Sequence, residues 1–335
     1  MKPNNEASLA SAGSIARPPA ARMPVASQPA AHPLIGLALG VVAVSTASLF
    51  VRFAQQAGAD SLAIAALRLC IASLVIAPAA WQRCRDELRQ LSRRDLAIGL
   101  SSGAFLGLHF ATWITSLQYT SVASSVVLVT LSPMFVALGS ALFLRERLPG
   151  SVIFAMGIAT VGGIVIAVGD QALVGTPDLS RGNSALGNVL ALAGAVSIAP
   201  HFIIGRRLRA RLSLLAYISV VYGAAAILLL IAVAVLRVPL LGFEPQAYLW
   251  VTLLALLPQL VGHTSFNWAL AYLPATYATI PVLGEPIGST VLAVVVLREP
   301  LTLGRALGAL LVLLGIGLMA AVRARRSHLS ESRSS

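Results

Sequence analysis

The chain has 335 residues, 57% hydrophobic and only 11% charged, with a mean hydropathy of +0.85 and a net charge of +12. Soluble domains carry about 25% charged residues, so this composition excludes a soluble globular enzyme, and disorder of the whole chain is excluded because it requires low hydrophobicity. What remains is a protein with several membrane spans, whose basic excess belongs on cytoplasmic loops rather than on a nucleic-acid face.

Residues 1–33 are rich in Ala, Pro and Ser and are expected to form a disordered cytoplasmic tail. They lack the early apolar core of a signal peptide. A spanning helix needs about 20 residues. Apolar runs of that size are read at 34–51, 61–81, 96–118, 121–144 and 151–168. A polar external linker, 169–187, follows, and then runs at 188–204, 214–235, 248–265, 276–297 and 304–322, with a cytoplasmic tail at 323–335. The expected fold class is an all-α membrane protein, because open strands leave backbone groups unsatisfied in lipid. With both termini inside, the inner segments hold 18 Lys and Arg residues and the outer segments 5, namely Arg52, Arg181, Arg237, Arg298 and Arg305. That bias fits ten spans. Cys70 falls in an apolar run and Cys84 in a basic loop, which is neither a disulfide framework nor a zinc spacing.

The chain repeats itself. LRERL at 144–148 returns as LREPL at 297–301, an offset of 153 residues. At the same offset Tyr119 meets Tyr272, Pro133 meets Pro286, and Gly162 meets Gly315. The halves 34–168 and 188–322 hold five spans each, and an odd number per half makes the repeat inverted, as in many secondary transporters. The stretch SPMFVALGSALFLRERLPG (132–150), echoed by EPIGSTVLAVVVLREPLTLG (285–304), resembles the EamA family of the drug/metabolite transporter superfamily. The resemblance runs through everything after the tail, including the Arg in the second span. It implies a ten-span transporter of the bacterial cytoplasmic (inner) membrane. Such a protein would move a small metabolite without ATP hydrolysis, as a monomer or homodimer, with no cofactor, metal or nucleic acid.

Glu285 is the acidic residue set deep within an apolar run, near the bilayer midplane. An ionised carboxylate is costly there, so a role in coupling proton movement to transport is the first expectation. A hydrogen-bonded cap on carbonyls freed by Pro286 is the structural alternative. Pro133 and Pro286 are expected to kink matching helices at the cavity. Arg68 either snorkels to an interface or balances an anionic substrate group or Glu285. His109 and Trp113, four apart on one helix face, are cavity candidates, as is His263. Gln259 is a weaker one. Trp81 and Trp268 fit an interfacial belt, and a structural role suits His201. Glycines spaced by four, at 36 and 40, at 99, 103 and 107, and at 304 and 308, suggest close helix packing. GLSSG at 99–103 matches a nucleophile elbow only formally, since that motif needs a strand–turn–helix context. No P-loop or H-E-x-x-H pattern occurs. GRRLRARLS (205–213) is read as an inner loop that contacts anionic lipid at most. The residues therefore point to a secondary transporter, with an intramembrane enzyme or a passive channel as the alternatives.

Overall fold

The computed structural model describes residues 33–120, 122–145, 149–173, 184–296 and 303–331. The tail before Pro33, the linker residues 174–183, and Glu146, Arg147, Arg181, Arg298, Glu299 and Arg333 lie outside them. All regular structure among the described residues is helical. Among the described residues seven helices are long and apolar enough to cross a membrane: Pro33–Gln56, Ser61–Arg83, Arg93–Tyr119, Ser125–Leu144, Ala185–Arg209, Leu214–Leu236 and Pro245–Ala269. Their outward faces are lined by Leu, Ile, Val and Phe, as lipid demands. The chain is an integral membrane protein.

The first rod consists of α1 (Pro33–Ser45) and α2 (Ala47–Gln56). Pro33 opens it, where a missing N–H costs nothing. The rod runs five residues past its expected end and takes in Arg52. α3 (Ser61–Arg83) is capped by Asp60, whose carboxylate accepts from the Leu62 amide at 2.7 Å. After the short α4 (Arg85–Arg89), α5 (Arg93–Tyr119) is capped by Ser92, which accepts from the Asp95 amide at 3.0 Å. α8 (Gly150–Leu173), α9 (Ser184–Arg209) and α10 (Leu214–Leu236) are continuous. α15 runs from Leu303 to Glu331, so most of the expected C-terminal tail continues the last helix.

The remaining rods are broken. The segment 122–144 consists of α6 (Val122–Val129), α7 (Ser132–Gly139) and a π-helical turn, Ser140–Leu144. The segment 275–296 is α13 (Ala275–Thr279), a 3₁₀ turn (Ile280–Gly284) and α14 (Glu285–Val296). Pro133 and Pro286 therefore do not kink continuous helices. Each is the second residue of a new helix, a position whose backbone N–H has no intrahelical partner in any case. The rod Pro245–Ala269 joins α11 (Pro245–Leu254) to α12 (Thr264–Ala269) through nine residues of π-helix, Ala255–His263. Pro258 lies inside that stretch, where its ring would clash with an ordinary α-helical turn.

α5 packs on α9 and α10, α3 on α10, and α8 on α15, while α1 lies along the π-helical segment and α12. The glycine spacing explains the closeness of these contacts. Gly99 and Gly107 of α5 face Val220, Ala225 and Leu228 of α10, and Gly36 faces the ring of Trp268. The α8–α15 contact is reciprocal. A Cβ on Gly162 would stand 2.6 Å from the Gly308 carbonyl oxygen and 2.7 Å from the Val312 amide. A Cβ on Gly315 would stand 2.7 Å from the Ala155 oxygen and 2.9 Å from the Ala159 amide. Subtracting the sequence offset from 308, 312 and 315 gives 155, 159 and 162, so one contact maps onto the other.

Candidate functional site

The helix breaks surround a central cavity of about 40 Å³. It is lined by Val44 and Ala47 of the first rod, His109 and Trp113 of α5, Val129 and Ser132 at the α6–α7 break, Ile198 and Phe202 of α9, His263 and Phe266 at the end of the π-helix, and Val282 and Glu285 at the α13–α14 break. Trp113 with Phe266, Val129 with Val282, and Ser132 with Glu285 are pairs at the repeat offset. Glu285 is the first residue of α14 and Ser132 the first of α7. A helix N-terminus favours an anion over a neutral group, so the break offers the carboxylate a partial counter-charge.

His109 and Trp113 share a face, with rings stacked 6.2 Å apart. His109 Nδ1 lies 2.9 Å from the Gly194 carbonyl oxygen. A carbonyl only accepts, so Nδ1 carries a proton and donates it to this bond. His263 meets Phe110 edge-on at 5.0 Å and His109 at 6.3 Å. Arg68 does not snorkel. It is fully buried, its guanidinium lies 3.9 Å above the Phe110 ring, and its Nε donates to Gln259 Oε1 at 2.9 Å. Arg68 and Gln259 thus stand one aromatic layer behind the cavity wall. Among the described residues Arg68 and Glu285 form no direct ion pair. Pro133 and Pro286 adjoin the site through their neighbours Ser132 and Glu285, without lining it.

A second buried network lies beside the cavity, and its donors can be assigned from end to end. Asn267 Oδ1 only accepts, so His201 Nε2 donates to it (3.2 Å) and His201 Nδ1 accepts from the Ser102 hydroxyl (3.0 Å). Ser102 in turn accepts a hydrogen bond from the Tyr217 hydroxyl at 3.2 Å. Asn267 Nδ2 donates to Tyr222 Oη (3.3 Å), Tyr222 donates to Thr264 (3.0 Å), and Thr264 donates to the Gln259 carbonyl (3.3 Å). Every member is satisfied, which is the condition for a buried polar network to rigidify a core. It ties α5, α9, α10 and the rod Pro245–Ala269 together, in keeping with a structural His201. Of these residues the sequence analysis names His201 and Gln259. Ser102, Tyr217 and Tyr222 could have been found as polar side chains within apolar runs. The exposed Ser101 bonds only to the Ile98 carbonyl (2.8 Å), inside a helix and far from any nucleophile elbow.

The basic run of 205–213 is corrected by the structure. Arg206, Arg207 and Arg209 belong to the last turn of α9, not to a loop. Arg206 donates to the Leu270 and Ala271 carbonyls (2.7 and 3.3 Å), and Arg209, 8% exposed, donates to the carbonyls of Asn267 (3.2 Å) and Leu212. Cations here bind carbonyls in the last turn of α12 and just beyond it, and in the turn that follows α9. Glu87 of α4 accepts from the amide and hydroxyl of Ser213, each at 2.6 Å, which seats α4 against the start of α10. Trp81 is 63% exposed, with Arg85 over its ring at 4.9 Å, as an interfacial residue should be. Trp268 is instead half-buried against Gly36 and Tyr272, because the glycine leaves room for its ring.

The comparisons with known proteins agree with this architecture. The family model described as "EamA-like transporter family" matches residues 33–168 and again 185–321. An uncharacterized transporter of Archaeoglobus fulgidus is 25% identical over 84% of this chain and 93% of its own length. The pseudopaline exporter CntI of Pseudomonas aeruginosa is 29% identical over 39% of this chain and 45% of its own. A solved crystal structure shares the fold at a TM-score of 0.68 and 19% identity, covering 87% of this chain and 97% of that one. The chain belongs to the EamA-like transporter family and is a membrane transporter of small molecules.

Proposed function

We propose that the protein is a secondary active exporter of a small metabolite or drug-like molecule across the bacterial cytoplasmic membrane, with Glu285 coupling export to proton entry. Ten spans form two inverted five-span repeats, 34–168 and 188–322, with both termini cytoplasmic and an external linker between α8, which runs on to Leu173, and α9, which starts at Ser184. The repeat already supplies both halves of the cavity, so a monomer suffices. One observation carries the reading: the cavity is lined by side chains at equivalent positions of the two halves, and the one acidic residue among them is Glu285. The reciprocal glycine contacts of α8 and α15 support the same two-fold relation. Discontinuous helices at the repeat interface are where transporters of inverted-repeat design bind substrate. A relative named as an exporter supports the direction.

The mechanism follows from the site. The Glu285 carboxyl takes a proton from the outward-facing cavity and releases it to the inside. Proton and substrate are carried on opposite legs of the cycle, so inward proton movement drives substrate outward. Each ligand need only stabilise the inward- and outward-facing states differently. At about 40 Å³ the cavity holds no more than a few waters. Substrate therefore enters a wider state, which the helix breaks at 130–132 and 280–285 can open without unfolding their rods.

The test is untargeted mass spectrometry of the medium around cells expressing the wild type or Glu285→Gln at matched membrane levels. A metabolite enriched outside wild-type cells alone is the expected result. Equal enrichment by both proteins removes Glu285 from the mechanism. Depletion from the medium by the wild type reverses the direction.

A further inference from the structure

The His201 network satisfies all its members, whereas the cluster around Arg68 does not. Arg68 Nη1 and Nη2, Gln259 Nε2, Trp113 Nε1 and His263 Nδ1 are buried with no hydrogen-bond partner among the described residues. The assignment of the Gln259 amide is forced: a guanidinium only donates, so Oε1 faces Arg68 Nε and Nε2 is the free end. Four of the five atoms can only donate, and His263 Nδ1 can do so in one tautomer. Trp113 and His263 stand in the cavity wall. Arg68 follows behind the Phe110 ring, which touches His263 at 5.0 Å. A row of donors therefore leads from the cavity to a buried cation whose remaining two-nitrogen edge is unused.

Donors without acceptors call for a ligand rich in acceptors. The free edge of a guanidinium matches a carboxylate, which it binds through two parallel hydrogen bonds. The rest of the wall is apolar, with Val129, Phe202, Phe266 and Val282. We infer that the central site takes organic carboxylates with an apolar body, the carboxylate docking on Arg68 Nη1 and Nη2 and Gln259 Nε2. The body lies against Phe202 and Phe266, and Trp113 Nε1 and His263 guide the carboxylate inward as the His263–Phe110 pair parts. This rests on the reading of the cavity as the transport site and names its substrate class.

The test uses the purified full-length protein in detergent and three probes with one body: 3-phenylpropionate, 3-phenylpropanol and 3-phenylpropylamine. Isothermal titration should show the carboxylate binding at least tenfold more tightly than the alcohol or the amine. Arg68→Gln should weaken the carboxylate at least tenfold and the alcohol less than threefold. Arg68→Lys should fall between, keeping the charge but losing the fork. Gln259→Leu, expected to weaken the carboxylate severalfold, serves as the second variant should Arg68→Gln fail to fold. Equal affinity for the three probes, no binding of any, or unchanged carboxylate binding by folded Arg68→Gln and Gln259→Leu would overturn the assignment. Carboxylate binding through Arg68 without flux in liposomes would leave this site standing and remove the transport reading. Flux of a cationic or neutral metabolite unaffected by Arg68→Gln would do the reverse.

Discussion

Glu285 is confined to a cavity wall by backbone geometry as well as by sequence. It begins α14 directly after a 3₁₀ turn, so its carboxyl projects from a helix end into the space the break creates. Replacing it with Gln keeps the shape but removes the exchangeable proton. Glu285→Gln is therefore expected to fold as the wild type does and to lose proton-driven transport by tenfold or more, with substrate binding retained, as vesicle flux and equilibrium binding can measure. Loss of binding together with flux would make Glu285 a substrate ligand instead. Glu285, Arg68, His109, Trp113 and His263 were legible in the sequence because a charged, imidazole or indole group stands out in an apolar run. The Arg68–Gln259 bond was not legible, since its partners are 191 residues apart. Ser102, Tyr217 and Tyr222 were missed because a hydroxyl in a span can bond its own helix and so carries little signal of its own.

At the scale of elements, the prolines and glycines tell different stories. Pro133 and Pro286 announced an interruption in each half, yet not its form. A proline in an apolar run is compatible with a kink or with a fresh helix start, and only the preceding turns (Leu131 before α7, Ile280–Gly284 before α14) decide between them. The π-helical stretch around Pro258 was likewise hidden, because widening a helix by one residue per turn changes no composition. The glycines were legible, since their spacing by four already implied close approach. Gly162→Leu and Gly315→Leu should each destabilise the α8–α15 pair, by about 1–3 kcal/mol from overpacking. The two losses should also be equal within error, because each glycine faces backbone of the other helix. Thermal unfolding in one detergent measures both. A large loss at one site and none at the other would mean that the two contacts are not equivalent.

For the whole molecule, charge and repetition predict the topology. In the proposed ten-span topology eighteen basic residues fall on one side and five on the other, and Arg206, Arg209 and Glu87 bind the starts and ends of neighbouring helices on the side proposed as inner. In a Cys70→Ala, Cys84→Ala background, Ser180→Cys should react with a membrane-impermeant maleimide in intact cells. Ser330→Cys should react only after permeabilisation. Labelling of both from outside, or of neither, would contradict the ten-span arrangement.

The most direct test of the account is flux in proteoliposomes with an imposed pH gradient, using the metabolite found in the medium of expressing cells. The account predicts that wild-type protein drives uphill accumulation of that metabolite against proton flow, that the movement saturates and shows counterflow, and that Glu285→Gln abolishes the gradient-driven component. Flux that is downhill only, without counterflow and indifferent to the gradient and to residue 285, would contradict it and identify a passive channel.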